Sequence, residues 1–310
     1  MSELFLEDAH KEFISTLLIE KDISKFTIVS YNSDLQMFLE FLSRQGIKPV
    51  VGQLNKNLCK RYFQYLKFEK EYANATMRRK IYYLSSFVKF LYQEEYIPQN
   101  CMASIKAPKE SKELPIYFTD EDMNKMLAST DKLGGNFVLR DKCMLLLLFL
   151  TGARRSELLN IRWKEINFTD MTINIIKGKG KKSRQVPMLP PLNVYLKALL
   201  NEKKCDAHDF VLFSNAYNQM SATTMSVIFR KYLRKNELEG KGYTLHKCRH
   251  TFATNLAKNE IDCLEIAQLL GHEDLTTTKR YVHLVTRDFS EKLKGIDMVK
   301  NINKVMDTQK

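Results

Sequence analysis

A proline- and lysine-rich stretch near residue 110 is the feature that most limits how this chain can fold. Its prolines and lysines are Lys106, Pro108, Lys109, Lys112 and Pro115. Proline combined with charge is typical of an extended connector between domains. The chain has 310 residues, which is more than one compact hydrophobic core usually organises. We therefore predict two domains, residues 1–106 and residues 118–310, joined by a linker over residues 107–117.

The first domain is predicted to be helical. In residues 25–44 the apolar side chains recur at helical spacing, and Gly46 with Pro49 ends the pattern. Further helices are expected over residues 56–71 and from about residue 75 to 95. The inward face of the last helix is apolar and comprises Met77, Ile81, Leu84, Val88 and Leu91.

The second domain is predicted to be mainly helical with one small sheet. Helices are expected near residues 119–129 and 136–150, then at Arg154, and again from about residue 190. Between them lie three short strand patterns separated by turn signals: residues 166–168, 171–176 and 184–188. Strands joined by tight turns pair antiparallel. The expected fold is therefore mainly α, with a short three-stranded antiparallel sheet.

The chain has a net charge of +13, which suits a polyanionic partner. This charge does not by itself distinguish DNA from RNA or an acidic membrane surface. Two clusters of bases are candidate DNA contacts: Arg78, Arg79 and Lys80, and then Lys177, Lys181, Lys182 and Arg184. The first cluster is expected on the face of its helix opposite the apolar residues. For either cluster, a merely solvated surface is the alternative.

The cysteines and the N-terminus indicate a cytoplasmic protein. The six cysteines contain no Cys-x-x-Cys pair, so neither a disulfide framework nor a zinc ribbon is indicated. Glu3, Glu7 and Asp8 stand where a signal peptide would have a basic start. The longest apolar run, residues 143–150, is too short to span a bilayer. We therefore expect no membrane partner.

Residues suited to phosphate chemistry occur in four short strings. They are Thr151-Gly152-Ala153-Arg154-Arg155-Ser156-Glu157-Leu158, Gly178-Lys179-Gly180, His246-Lys247-Cys248-Arg249-His250, and Leu270-Gly271-His272 with Tyr281 beyond it. In content and order these strings resemble the tyrosine recombinase (phage integrase) family, whose members exchange DNA strands through a phosphotyrosine intermediate. The resemblance spans roughly residues 24 to 287 and is tighter after residue 150. It implies a small helical, SAM-like core-binding domain followed by a catalytic domain.

The resemblance assigns a role to each of six residues. Arg154 and Arg249 are expected to clamp the scissile phosphate, because a guanidinium fork holds two oxygens and stays charged. His246 lies three residues before Arg249 and so shares its helix face. His272 is expected to donate a hydrogen bond to the same phosphate, and Tyr281 to attack it.

Lys179 is expected to protonate the leaving 5′ oxygen. Lys177, Lys181 and Lys182 compete for that role, and a mobile basic hairpin tip is the alternative.

Glu157, one helical turn after Arg154, allows two interpretations. It forms a surface ion pair with Arg154, or it buttresses that arginine as in the family, and both can hold. A zinc site at His246, Cys248 and His250 is disfavoured, because Cys248 lies about 200° around the helix from each histidine. We predict no metal and no nucleotide cofactor, since one ester replaces another of similar energy.

The predicted function is site-specific DNA recombination through a 3′-phosphotyrosine. A type IB topoisomerase-like enzyme and a non-catalytic DNA-binding protein are the alternatives. The family resemblance implies a tetramer on double-stranded DNA carrying a specific recombination site. It leaves open a paired recombinase or accessory protein, and it does not distinguish Xer-type enzymes, transposon resolvases and integrases. Apolar stripes after Tyr281 predict a C-terminal helical tail that docks either on a neighbouring subunit or on its own domain.

Overall fold

The computed structural model describes residues 3–109, 116–176, 183–215 and 218–271. The chain forms two compact units, Met1–Glu113 and Leu114–Lys310. Several predicted site residues and the predicted C-terminal tail lie outside the described residues: Lys177, Lys179, Lys181, Lys182, His272, Tyr281 and the segment after them. Within the described ranges no helix has both the length and the apolar composition that crossing a bilayer requires.

The first unit consists of helices. They are α1 (Leu6–Lys21), α2 (Lys25–Arg44), a 3-10 turn (Val51–Gln53), α3 (Lys56–Gln64), which continues as a π-helical turn (Tyr65–Glu69), and α4 (Asn74–Gln93). The side chains of Ser24 and Asn55 accept the amides three residues later and so cap α2 and α3. The bounds of α2 agree with the sequence-based prediction.

The core of this unit lies between the apolar faces of its helices. Phe13, Phe38 and Phe87 are almost fully buried at its centre. All five residues predicted on the inward face of α4 are buried as well, which confirms that part of the helical pattern. The unit is thus held largely by aromatic and aliphatic packing.

The three bases at the start of α4 do not share one environment. Lys80 is only 3% exposed and pairs with Asp34 at 2.9 Å. Arg79 donates to both oxygens of the same carboxylate at 2.8 Å. Arg78 donates to the carbonyl of Pro108 at 2.7 Å. The prediction that Lys80 contacts DNA from an exposed face is wrong for this conformation, because its ammonium is buried against Asp34.

The second unit has seven helices and three strands in its described residues. In chain order they are α5 (Asp120–Leu133), α6 (Val138–Leu150), α7 (Arg155–Leu159), β1 (Ile166–Asn167), β2 (Thr172–Ile175), β3 (Arg184–Pro187), α8 (Pro190–Lys203), α9 (Ala222–Lys235), α10 (Leu245–Lys258) and α11 (Cys263–Leu270). Short 3-10 turns occur at 135–137, 163–165 and 239–241.

Helix α6 is the centre of this unit. From Cys143 to Phe149 no side chain is more than 5% exposed, which explains the continuous apolar run in the sequence. The sheet has the order β1-β2-β3, and both pairs are antiparallel. Ile173 lies opposite Val186, and both are buried. The predicted mainly α fold with a three-stranded antiparallel sheet is confirmed.

Helix α11 has defined signals at both ends. Asp262 accepts the amide of Leu264, and Glu265 accepts the amide of Asp262 in return. Gly271 follows the helix with φ of 64°, in the left-handed region that favours glycine. Gly271 thus ends the helix. The chain therefore leaves α11 immediately before His272.

Candidate active site

Arg154 lies at the N-terminal end of α7, directly after the turn that closes α6. Its backbone amide donates to Oε2 of Glu157 at 2.8 Å, and its Nη1 donates to Oε1 at 3.1 Å. The Arg154 side chain is 42% exposed, whereas that of Glu157 is buried. The buried Glu157 therefore orients the guanidinium of Arg154 from the protein side. Another side of this guanidinium faces solvent. Arg155 points elsewhere and donates to Ser226 at 3.3 Å.

Glu157 accepts hydrogen bonds from two arginines, Arg154 and Arg184. Nη1 and Nη2 of Arg184 donate to its two oxygens at 3.1 and 2.9 Å, which is the fork geometry of strong charge-assisted pairs. Burial alone would raise the pKa of Glu157. The hydrogen bonds from Arg184 and the Arg154 amide, together with both positive charges, outweigh burial and lower this pKa to about 2. Glu157 is therefore ionised throughout the neutral range.

Arg184 belongs to β3 and points into the protein. Its side chain is 7% exposed, and its Nε donates to the carbonyl of Leu269 at 2.7 Å. The prediction that Arg184 contacts DNA is wrong for this conformation, because its guanidinium is directed at Glu157 and α11. Strand periodicity could have indicated this, since Arg184 and the buried Val186 are two residues apart and share a face.

Arg249 projects from α10 and is 4% exposed. Its Nη1 donates to the carbonyl of Gly152 and its Nη2 to the carbonyl of Leu270, both at 2.7 Å. The guanidinium therefore joins the turn before Arg154 to the last residue of α11. Three of the four strings noted in the sequence meet at this one side chain.

Gly152 permits this close approach. It has φ of 60°, which L-residues with side chains rarely adopt. A Cβ at this position would lie 2.4 Å from a ring carbon of Phe252 and 2.8 Å from a methyl of Leu270. The glycine of the Thr-Gly-Ala-Arg string is therefore required both by its backbone angle and by the packing of α10 and α11.

His246 lies in the first turn of α10 and is exposed, one turn before Arg249. Its ring meets that of His250 at right angles, with centroids 4.7 Å apart. Cys248 is fully buried, and burial raises its pKa well above the usual value. Cys248 thus lies in the core. In the described parts of the chain, no three His, Cys, Asp or Glu side chains are grouped as metal ligands would be.

The described residues of the site include several cationic and hydrogen-bond-donating side chains. Arg154 and Arg249 carry fixed positive charge, and Arg249 contacts the turn that leads into Arg154. His246 adds an exposed imidazole. Such an arrangement can hold an anion with two charged oxygens, because preorganised donors need no rearrangement on binding. The structure does not describe Lys179, His272 or Tyr281, so the roles predicted for them stay predictions.

Comparison with known proteins supports the family resemblance of the sequence along most of the chain. Residues 117–287 match the phage integrase family, and residues 11–95 match the N-terminal SAM-like domain of phage integrases. The tyrosine recombinase XerC of Oceanobacillus iheyensis is 32% identical over 283 residues, which are 89% of this chain and 91% of that protein.

Solved structures of low sequence identity share the fold. The XerH site-specific recombinase bound to a palindromic difH substrate has a TM-score of 0.73 and 20% identity, with coverage of 94% of this chain and 90% of that one. The Tn1549 transposon integrase in complex with a circular intermediate DNA also has a TM-score of 0.73, with 18% identity and coverage of 90% and 95%. The chain belongs to the phage integrase family of tyrosine recombinases, enzymes of site-specific recombination.

Proposed function

We propose that this recombinase cuts and rejoins double-stranded DNA through a 3′-phosphotyrosine formed by Tyr281. The supporting observation is the contact of Arg249 with both the Gly152 turn and the end of α11. This contact brings Arg249 to the turn that carries Arg154 and to the residue two positions before His272. Motifs that lie far apart in the sequence therefore converge where a phosphate would bind.

In this mechanism Arg154 and Arg249 hold the non-bridging oxygens of the scissile phosphate. They stabilise the charge that develops as a fifth oxygen enters, which is the largest contribution a protein usually makes to phosphoryl transfer. His246 and His272 donate hydrogen bonds to the same oxygens. Glu157 keeps Arg154 in place and does not touch the DNA.

Tyr281 attacks the phosphorus, and the bond to the 5′ oxygen breaks as Lys179 supplies a proton to that oxygen. A free phenol has a pKa of about 10, so the surrounding cations must favour the phenolate. The released 5′ hydroxyl then attacks a phosphotyrosine on a partner strand. The number of phosphodiester bonds is unchanged. The proposed reaction includes neither a nucleotide nor a metal ion among its reactants.

The proposed assembly is a tetramer that joins two duplexes, each carrying a specific recombination site. Arg78 and Arg79 of the first unit and Lys177, Lys181 and Lys182 of the second are the proposed DNA contacts. The proposed location is the cytoplasm, which fits six cysteines that are all free. A paired recombinase or an accessory protein would complete the assembly in a Xer-type reaction.

A nicked suicide duplex tests the proposal. The duplex is first selected from a random-sequence pool by its binding to the full chain. Cleavage next to the nick releases a short strand and traps the enzyme on the DNA. We expect an SDS-resistant covalent adduct with the unaltered chain and none with Tyr281→Phe, while both bind the duplex equally.

A matched control is Tyr117→Phe, which removes a phenol hydroxyl elsewhere in the same unit, where it contacts Lys258. This variant should form the adduct at the normal rate. An adduct that persists in Tyr281→Phe would refute the nucleophile assignment. Relaxation of supercoiled DNA without paired sites would favour a topoisomerase-like reaction instead.

A further inference from the structure

Arg184 connects three elements of the second unit, β3, α7 and α11. From β3 its Nη1 and Nη2 reach Glu157, and its Nε reaches the carbonyl of Leu269 at the end of α11. All three contacts come from one planar group that is shielded from solvent. The orientation of Glu157 and the position of the α11 end are therefore tied to the same side chain.

The end of α11 is held by two arginines. Arg184 donates to the carbonyl of Leu269, and Arg249 donates to the carbonyl of Leu270. Carbonyls at a helix C-terminus lack intrahelical partners and carry the negative end of the helix dipole. Cationic donors are therefore favourable there, and they fix the direction in which the chain continues towards His272.

These contacts form a closed ring. From Arg154 it passes through Glu157 and Arg184 to α11, and from α11 through Arg249 to Gly152, two residues before Arg154. A closed ring fixes each member relative to all the others, whereas an open chain of contacts does not. Arg184 is the member that neither the sequence strings nor the proposed chemistry includes.

Resting on the proposed function, we infer that Arg184 is a positioning residue for strand cleavage. Through its contact with Glu157, Arg184 keeps Arg154 at a fixed position relative to Arg249 and to the end of α11. Lysine cannot replace it, because one ammonium on a flexible stem cannot reproduce three donors in a fixed plane. Misplacement of reacting groups by about 1 Å can reduce a rate by about 100-fold, so loss of the ring should be visible in the chemical step.

The test compares Arg184→Lys with the unaltered chain in single-turnover cleavage of the suicide duplex at saturating enzyme. Lysine keeps a cation beside the buried Glu157 and so favours folding. We expect the rate constant for adduct formation to fall by a factor of about 10 or more. The final amount of adduct and the Kd for DNA should stay the same. A smaller amount of adduct formed at the normal rate would mean a merely structural role and would overturn the inference.

The matched control is Arg234→Lys, an exposed arginine paired with Glu239, for which the rate constant should not change. If Arg184→Lys fails to fold, the double variant Glu157→Gln with Arg184→Gln removes both buried charges together. Compared with Glu157→Gln alone, the double variant should cleave more slowly, and equal rates would overturn the inference.

Hydrogen exchange gives a readout that does not depend on chemistry. The amide of Gly271, which donates to the carbonyl of Gln268 at 3.0 Å, should exchange faster in Arg184→Lys than in the unaltered chain. Amides in α6 should be unaffected. Unchanged exchange at the end of α11 would overturn the inference even if cleavage slows. If the unaltered chain forms no adduct, the proposed function fails, and exchange alone then decides whether Arg184 holds α11.

Discussion

Gly152 lies so close to Phe252 that a methyl group on its α-carbon would overlap the ring, at 2.4 Å from Cδ1. The ring belongs to α10, which also carries Arg249, so a shift of the ring would displace the guanidinium. The substitution Gly152→Ala should therefore reduce adduct formation by a factor of about 100. It should also destabilise the unit by more than the ~1 kcal/mol of a left-handed alanine, as measured by urea unfolding.

Gly135 provides the control for that substitution. It also has positive φ, at 56°, but an added Cβ would meet nothing within 4 Å. Gly135→Ala should cost only about 1 kcal/mol and leave cleavage unchanged. Equal losses of stability and activity in the two variants would contradict the packing explanation.

Glu157 should make the fold sensitive to acid. Its pKa is about 2 in the folded chain, against 4.5 for an unperturbed carboxyl. Because the folded value is the lower one, its contribution is present above pH 4.5 and is lost as the pH falls through about 2. The full contribution corresponds to roughly 3 kcal/mol. Urea unfolding between pH 7 and 2 should show the stability difference between the unaltered chain and Glu157→Gln shrinking in this window.

Glu121 serves as the comparison, since its ion pair with Lys125 is exposed on both sides. Glu121→Gln should leave the stability almost unchanged at every pH, because solvent screens this exposed pair. A difference between the unaltered chain and Glu157→Gln that stayed constant down to pH 2 would show that the buried charge does not contribute as described.

Asp34 should be critical for the stability of the first unit. Its carboxylate is 1% exposed and pairs with both Arg79 and the buried Lys80. Asp34→Asn would leave the Lys80 ammonium buried without a counter-charge, which costs roughly 3 to 5 kcal/mol. Asp8→Asn, which breaks an exposed pair with Lys11, should cost less than about 1 kcal/mol. Denaturant unfolding of the two variants should therefore differ clearly, and similar midpoints would contradict the assigned burial.

His10 should add a second pH dependence, nearer to neutrality. Its Nε2 lies 3.0 Å from Oδ1 of Asn32, and its Nδ1 lies 3.1 Å from the hydroxyl of Tyr83, an arrangement that suits the neutral ring. Burial lowers the pKa of His10 below 6.5, despite the opposing effect of the hydrogen bond that its Nε2 donates to Oδ1 of Asn32. The folded chain therefore binds the proton less readily than the unfolded chain, and stability should fall as the pH drops below 6.5.

The measurement for His10 is the midpoint of thermal unfolding between pH 8 and 5. His10→Gln should lower the midpoint at pH 8 and flatten its dependence on pH. His208→Gln alters an exposed histidine and should leave the curve unchanged. A curve of the same shape in His10→Gln would assign the acid sensitivity to another group.

Much of the fold could be predicted because its signals are local. The bounds of α2 follow from apolar spacing and from Ser24, which caps it. The end of α11 follows from Gly271, and the strands follow from short alternating patterns between turns. The π-helical turn at Tyr65–Glu69 was not predicted, since the apolar pattern there continues that of α3.

The environment of individual charges could not be predicted in the same way. Lys80 and Arg184 look like solvated bases in the sequence, because their partners Asp34 and Glu157 are 46 and 27 residues away. The pairing depends on tertiary packing and has no local signal. The two arginines proposed to hold the phosphate stand out in the sequence by their strings, but the carbonyls that orient Arg249 belong to other elements.

The burial of Lys80 has a consequence for measurements in salt. Each phosphate that a protein neutralises releases condensed counterions and adds about 0.9 to the slope of log affinity against log salt. The ammonium of Lys80 is buried against Asp34, so it neutralises no phosphate and releases no counterions. A count of bases in the sequence therefore overstates the ionic-strength dependence of DNA binding by the first unit.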